Sequence, residues 1–300
     1  MLKVAWSPEY VLKLPPNHRF PMSKYEVLPQ QLLYEGTLLE ANIFSPQPAK
    51  EEQIIRVHDL TYLHKLNHLQ LTPQEERRTG FPLSHELIVR EKLIAGGTIS
   101  CADFALQHGV AMNIAGGTHH AFTNKGEGFC LLNDIAVAAA NLLSHKKAKR
   151  ILVIDVDVHQ GNGTAEIFKE NKSVYTFSMH GEHNYPLFKE KSDLDIGLAD
   201  GTSDKDYLYL LEKNLDQILP EFNPDFLFFQ SGVDVLATDK LGRLALSREG
   251  CKMRDKIILK LAKSAHIPIV ASMGGGYSTN FLDIIEAHAN TYRLAQEIFF

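Results

Sequence analysis

No stretch of about 18 consecutive apolar residues occurs in this chain, so nothing in it reads as a membrane-spanning helix. Cysteine is scarce: Cys101, Cys130 and Cys251 are odd in number and far apart. With no CxxC pair, neither a disulfide framework nor a thiolate zinc site is indicated, and buried thiols in a reducing compartment are expected. The opening Met1-Leu2-Lys3-Val4-Ala5-Trp6-Ser7 lacks the apolar segment of a secretory signal. A cytoplasmic protein with no membrane partner is the expectation. Positive charge is also thin, with 31 Lys and Arg against 36 Asp and Glu and a net charge of −5. The one basic cluster, Lys146-Lys147-Ala148-Lys149-Arg150, reads as a helix end entering a strand, where cations complement the helix C-terminus. No nucleic-acid partner is expected. Repeats, low-complexity tracts and long linkers are absent.

What is present is a chain of 300 residues, 44% of them hydrophobic, enough to bury a sizeable core. One domain over residues 1–300 is the simplest reading. Continuous apolar runs over Val110–Ala115, Arg150–Val158, Val174–Met179, Phe226–Phe229 and Ile267–Ser272 predict strands covered on both faces, as in parallel sheets. Trp6 is placed in an early strand. Helical patterns lie between them, over His85–Gln107, Asn133–Ser144, Asp204–Leu219, Ser247–Ser264 and Ser278–Gln296, with Asp204 and Ser247 as N-caps. Strand–helix alternation predicts an α/β fold with a parallel sheet. The proline-rich Leu14–Pro21 segment is a loop, either functional or merely connecting.

The densest chemistry lies in the segment Ile151–His159. Read as one strand ending in Asp157 and His159, it aims a carboxylate and an imidazole at one spot, since residues two apart share a face. That pairing suits a divalent metal; a strand end with two solvated polar residues is the bland alternative. Three more segments follow apolar runs: Gly116-Gly117-Thr118-His119-His120, Ser231-Gly232-Val233-Asp234 and Gly274-Gly275-Gly276-Tyr277. In a parallel sheet these loops share one edge. Asp157, His159 and Asp234 together give two carboxylates and one neutral imidazole, a set that accepts zinc and also fits iron(II) or cobalt(II). His119 and His120 can divide proton transfer and charge support, or be a solvated pair or extra ligands. Asp155 is costly in an apolar strand unless paired, for example with an imidazole. A phenol at Tyr277 can donate to a developing oxyanion, or the glycine run can be only a turn.

Taken together these motifs resemble the zinc-dependent histone deacetylase family, of the arginase–deacetylase fold. The Gly-Gly-x-His-His, Asp-x-Asp-x-His-x-Gly-x-Gly, Gly-x-Asp and Gly-Gly-Gly-Tyr elements stand in the family's order, and Gly128-Phe129-Cys130 matches a further segment. The resemblance runs from about Trp6 to the final helix. Within the family the chain is most similar to class IV, on Ala95-Gly96-Gly97-Thr98, His159-Gln160-Gly161-Asn162-Gly163, Tyr185-Pro186 and Asp239–Leu244. The resemblance implies a three-layer α/β/α fold with a mostly parallel sheet of about eight strands. It implies Asp157, His159 and Asp234 as zinc ligands, and His120 as general base and then acid. His119 gives electrostatic support held by Asp155, and Tyr277 polarises the acyl oxygen. Gly128, Phe129, Tyr185 and Gly275 bind substrate along a narrow tunnel. A structural potassium ion takes Asp155, the backbone of Asp157 and His159, Ser178 and Met179; Phe168, Asn171 and Val174 match an outer cation site. The implied partner is an acyl-lysine protein or peptide, acetyl or longer fatty acyl; oligomeric state stays open.

Asn162 stands where class I members carry the Asp that pairs with the second histidine. A neutral amide stabilises imidazolium less than a carboxylate does, so His120 is expected to titrate lower here. Two alternatives accompany the deacylase reading. Acetylpolyamine deacylation calls for acidic residues at the tunnel mouth, with Glu182 and Glu190 as candidates. A non-catalytic acyl-lysine-binding scaffold is the third. Arginase-like chemistry needs a second metal and more carboxylates than are visible. Met112, Met179, Met253 and Met273 read as packing, and His64, His68, His108, His145, His266 and His288 as surface or satisfied core residues.

Overall fold

A computed structural model describes residues Met1–Phe300. Eight strands form one sheet: β1 (Lys3–Ala5), β2 (Ile43–Phe44), β3 (Val110–Asn113), β4 (Ile151–Asp155), β5 (Val174–Gly181), β6 (Leu194–Leu198), β7 (Phe226–Gln230) and β8 (Ile269–Ser272). Ten helices accompany them: α1 (Lys24–Tyr34), α2 (Glu51–Ile54), α3 (Leu60–Asn67), α4 (Pro73–Thr79), α5 (His85–His108), α6 (Asp134–Ser144), α7 (Asn162–Phe168), α8 (Asp204–Phe222), α9 (Arg248–Ser264) and α10 (Phe281–Phe299). None is long and apolar enough to cross a membrane.

The sheet order is β2-β1-β3-β8-β7-β4-β5-β6 and every pairing is parallel. The central strands β3, β8, β7 and β4 are buried along their whole length, as their continuous apolarity requires when helices cover both faces. On one side α5 and α6 pack together, with α5 against β1, β3 and β8; α8, α9, α10 and α1 pack in succession as the second helical layer. The result is the three-layer α/β/α arrangement with eight strands.

Local chemistry sets the boundaries. Ser247 caps α9 by accepting from the Gly250 amide. Ser203, not Asp204, is the N-cap position of α8; the Asp204 carboxylate instead accepts from the Ser247 amide and hydroxyl, joining two helix starts. The last predicted helix starts three residues late, at Phe281, because the Asn280 side chain caps it. β1 ends at Ala5; Trp6 lies just beyond, its amide bonded to the Phe44 carbonyl. All three cysteines are buried and unpaired.

Candidate active site

The four motif-bearing loops leave β3, β4, β7 and β8, which are neighbours in the sheet, so they meet at one point on its carboxyl edge. β4 is shorter than the sequence implies: it ends at Asp155, and Asp157 and His159 lie in the turn beyond. Strand alternation therefore does not bring them together. The turn does, because the His159 amide donates to Asp157 Oδ1 at 3.0 Å, a local side-chain-to-backbone bond that bends the chain.

His159 Nδ1 is 3.1 Å from Asp157 Oδ1 and 3.1 Å from Asp234 Oδ2. The outer oxygens are anchored, Asp157 Oδ2 by the Gly275 amide and Asp234 Oδ1 by the Val158 amide, each at 2.9 Å. The three donor atoms lie within 4.8 Å of one another and all three residues are buried. A single Nδ1 proton cannot point at two oxygens, whereas a cation among the three atoms satisfies all of them. The 3.1 Å spacings are close to the edge of a tetrahedron with 2.0–2.1 Å ligand bonds, about 3.3 Å. The electrostatics agree. Burial and the Asp157 charge push Asp234 up to about 7. Burial lowers His159, but the two carboxylates outweigh it and hold the imidazole at about 10. This spot favours positive charge.

Beside the cluster the two imidazoles of His119 and His120 lie with ring centres 4.1 Å apart and opposite characters. His119 Nδ1 is 2.7 Å from Asp155 Oδ2. Burial works against its protonation, yet Asp155 and Asp157 hold it at about 8. His120 Nδ1 is 2.6 Å from Asn162 Oδ1. Burial, then the charges of His119 and His159, hold it well below its ordinary value. The tautomer of His120 follows from a residue behind it. Asn162 Nδ2 donates to Glu127 Oε1 at 2.8 Å, and a carboxylate can only accept. The amide oxygen must then face His120, so Nδ1 carries the proton and Nε2 keeps its lone pair.

A family model described as the histone deacetylase domain matches residues 18–292. The chain belongs to that family. It is 40% identical over 296 residues to an uncharacterized protein of Picosynechococcus sp., covering 99% of each. With histone deacetylase clr6 of Schizosaccharomyces pombe it shares 32% identity over 291 residues, 88% of this chain and 69% of that one. Among solved structures, an HDAC homolog from Aquifex aeolicus superposes with a TM-score of 0.84 at 26% identity, covering 98% of this chain and 84% of that one. An HDAC homolog complexed with SAHA gives 0.82 at 26% identity, covering 98% and 82%.

In this deacetylase-family chain an outer cavity of about 220 Å³ leads to the cluster, lined by Arg19, Arg78, His120, Gly128, Phe129, His159, Tyr185, Leu241 and Tyr277. Beyond it an inner space of about 40 Å³ adjoins Phe20, Tyr25, Arg90 and Ile94, with Gly275 also in its wall. The Tyr185 ring stands 5.0 Å from His120, and Phe129 faces Tyr277 at 6.0 Å. Burial and the nearby Asp234 and Asp157 charges raise the Tyr277 phenol well above its ordinary value, so it stays a donor. The Leu14–Pro21 loop is part of the site: Arg19 and Phe20 both face these spaces.

Several residues that position the site were not read from the sequence. Glu127 orients Asn162. Arg254, fully buried and paired with Asp255 at 2.7 Å, donates to the Gly232 carbonyl at 2.6 Å and the Val156 carbonyl at 3.2 Å. It thereby clasps together the two turns that carry Asp157 and Asp234. Asp134 accepts from Thr118, Thr98 and Ser272, fixing the His119–His120 loop to α5 and β8. Lys24, buried, donates to the Gly274 carbonyl at 3.0 Å and sits 5.6 Å from the centre of the Tyr277 ring. His288 departs from expectation: it is buried and its Nε2 has no partner, next to Gly276. The other five histidines set aside are exposed or half-buried.

Proposed function

We propose that the chain is a single catalytic domain that hydrolyses the amide of N6-acyl-lysine in a protein or peptide, releasing lysine and a carboxylate. One observation carries this reading: a buried acid–imidazole cluster, two imidazoles of unlike basicity and a protonated phenol converge at the inner end of one narrow cavity. Asp157, His159 and Asp234 would hold a divalent ion, zinc by donor set, with iron(II) also fitting. When bound, such an ion supplies Lewis acidity toward the amide carbonyl and the attacking water.

The remaining chemistry belongs to side chains. Phe129 and Tyr185 flank the path of the lysine stem, with Gly128 leaving room against His120. His120 Nε2, neutral because of its low basicity, takes a proton from the attacking water and returns it to the departing amine. His119, kept cationic by Asp155, supports the charge that develops. Tyr277 donates to the acyl oxygen as it becomes an oxyanion. Asn162 holds His120 in its tautomer. Asp155 and Ser178, ladder partners at the ends of β4 and β5, would with the backbone of Asp157, His159 and Met179 form an oxygen-rich structural potassium site. Phe168 at the end of α7, Asn171 in the turn after it and Val174 at the start of β5 would frame the outer one.

The inner space of about 40 Å³ takes only a few water-sized groups, which fits acetyl or another short acyl chain. A long fatty chain, which the class IV likeness allows, would need Phe20, Tyr25 or Ile94 to move. No carboxylate lines the outer cavity, and Glu182 and Glu190 are not in its wall. An acetylpolyamine finds no counter-charge there. The test is a panel of lysine peptides with acyl groups from two to sixteen carbons, with metal analysis of the same preparation. Turnover highest at two to four carbons, proportional to bound metal, is expected. No turnover on any peptide by the fully loaded protein refutes the reading.

A further inference from the structure

We infer that the mouth of the site selects acyl-lysines flanked by acidic residues, through Arg19 and Arg78. This inference rests on the acyl-lysine reading above and concerns the segment around the modified lysine. Both guanidiniums line the outer cavity, and no acidic side chain does. Both residues are exposed, and neither forms an ion pair or side-chain hydrogen bond within the chain. On a chain of net charge −5, two unpaired cations at one opening run against the average.

Their placement is built into the fold. Arg78 belongs to the last turn of α4, which stops at Gly80 with φ of 78°. A basic residue there complements the helix dipole, but this alone puts no guanidinium at a cavity. The chain reversal at Gly80 does. It lets the Arg78 carbonyl accept from the Gly128 amide at 3.1 Å and the Thr79 carbonyl from the Phe129 amide at 2.7 Å. The Gly80 carbonyl is bonded to the His18 ring at 2.8 Å, fixing the loop that carries Arg19. Arg19 lies over the Phe129 ring, 4.9 Å from its centre, so its plane is held while its fork stays free. Both therefore stand where the neighbours of the bound lysine pass, at the opposite end from the acyl group. A guanidinium binds a carboxylate in bidentate fashion and repels Lys and Arg. Glu127, a buried acid beside Gly128, is not in the wall of this cavity, and its charge is paired with Lys125 at 3.4 Å.

The experiment uses three acetyl-lysine peptides of equal length whose flanks are Asp/Glu, Ser/Gly or Lys/Arg. kcat/KM is measured on the metal-loaded protein, and Kd by fluorescence anisotropy with labelled versions, at 50 mM and 500 mM salt. Exposed pairs are individually weak, so two contacts predict roughly a tenfold advantage of acidic over basic flanks at low salt, shrinking to about twofold at high salt. In Arg19→Glu/Arg78→Glu the order inverts. Equal Kd for the three peptides, or an order unchanged in the double variant, overturns the inference. Binding in the expected order without turnover supports the charge selection while refuting the hydrolytic reading.

Discussion

Replacing Asn162 by Asp is the most revealing perturbation of this site, and its outcome depends on Glu127. In the native chain burial and the neighbouring imidazoles hold His120 well below its usual 6.5. A general base must be neutral, so kcat/KM falls as pH drops through its pKa, and the acidic limb lies below 6.5. A carboxylate 2.6 Å from Nδ1 would favour imidazolium, and an opposite charge that close raises a pKa by about 1–3 units. The limb would then move up. Yet the same side chain lies 2.8 Å from Glu127 Oε1, and two carboxylates at that spacing share one proton. The single variant Asn162→Asp should therefore shift the limb by less than about half a unit. Asn162→Asp/Glu127→Gln restores a donor behind the new carboxylate and should shift it up by about 1–2 units, or about 1.4–2.7 kcal/mol. The assay is kcat/KM from pH 5 to 9 on one acetyl-lysine peptide, with metal content checked at each end. If the double variant leaves the limb unmoved, or both variants move it equally, the Glu127–Asn162–His120 relay is not what sets His120.

Three further outcomes follow from the geometry. Tyr277→Phe should cost about 10²–10³ in kcat with metal content unchanged, since it removes one oxyanion donor; near-full turnover would assign the phenol no part in the chemistry. Gly275→Ala places a Cβ 2.8 Å from Asp157 Oδ2 and in overlap with Asp234 Oδ2, so bound metal measured by mass spectrometry should fall more than about tenfold while circular dichroism stays native. Retained metal would show that the two carboxylates can spread. Lys24→Met removes a buried ammonium whose basicity burial lowers to about 8 against the pull of Asp234, Asp157 and Asp239. An apolar isostere there should leave Tm unchanged or higher while kcat drops about tenfold as the Gly274–Tyr277 loop loosens. A lower Tm with unchanged kcat would make the lysine purely structural.

The central strands were legible because burial on both faces writes continuous apolarity into β3, β4, β5, β7 and β8. The edge strands β2 and β6 and the short β1 were not, apart from an early strand placed at Trp6. β1 and β2 span three and two residues, and β6 is largely half-exposed, so no such run marks them. The candidate site residues were legible because each follows an apolar run and belongs to a dense polar motif. Their supports were hidden for the opposite reason. Arg254 is one of several charges on a helix, and Glu127 and Lys24 carry no local sign of burial; only the closed fold shows that α9 reaches the ligand turns or that α1 reaches the glycine loop. The geometry linking Asp157 and His159 was also misread from the sequence. Their spacing matches a strand, but the amide of His159 turns onto the Asp157 carboxylate instead of continuing the ladder.

The strand that arrives last in the chain, β8, is inserted between β3 and β7 at the middle of the sheet. Without it, the loop from β3 and the turns from β4 and β7 would belong to two sets of strands that share no pairing, with a gap between them. A nascent chain emerging from the ribosome thus carries nearly all its reactive side chains well before it can use any of them. Competence would appear in one step as that gap is closed, and prematurely terminated products lacking the insert would be inert.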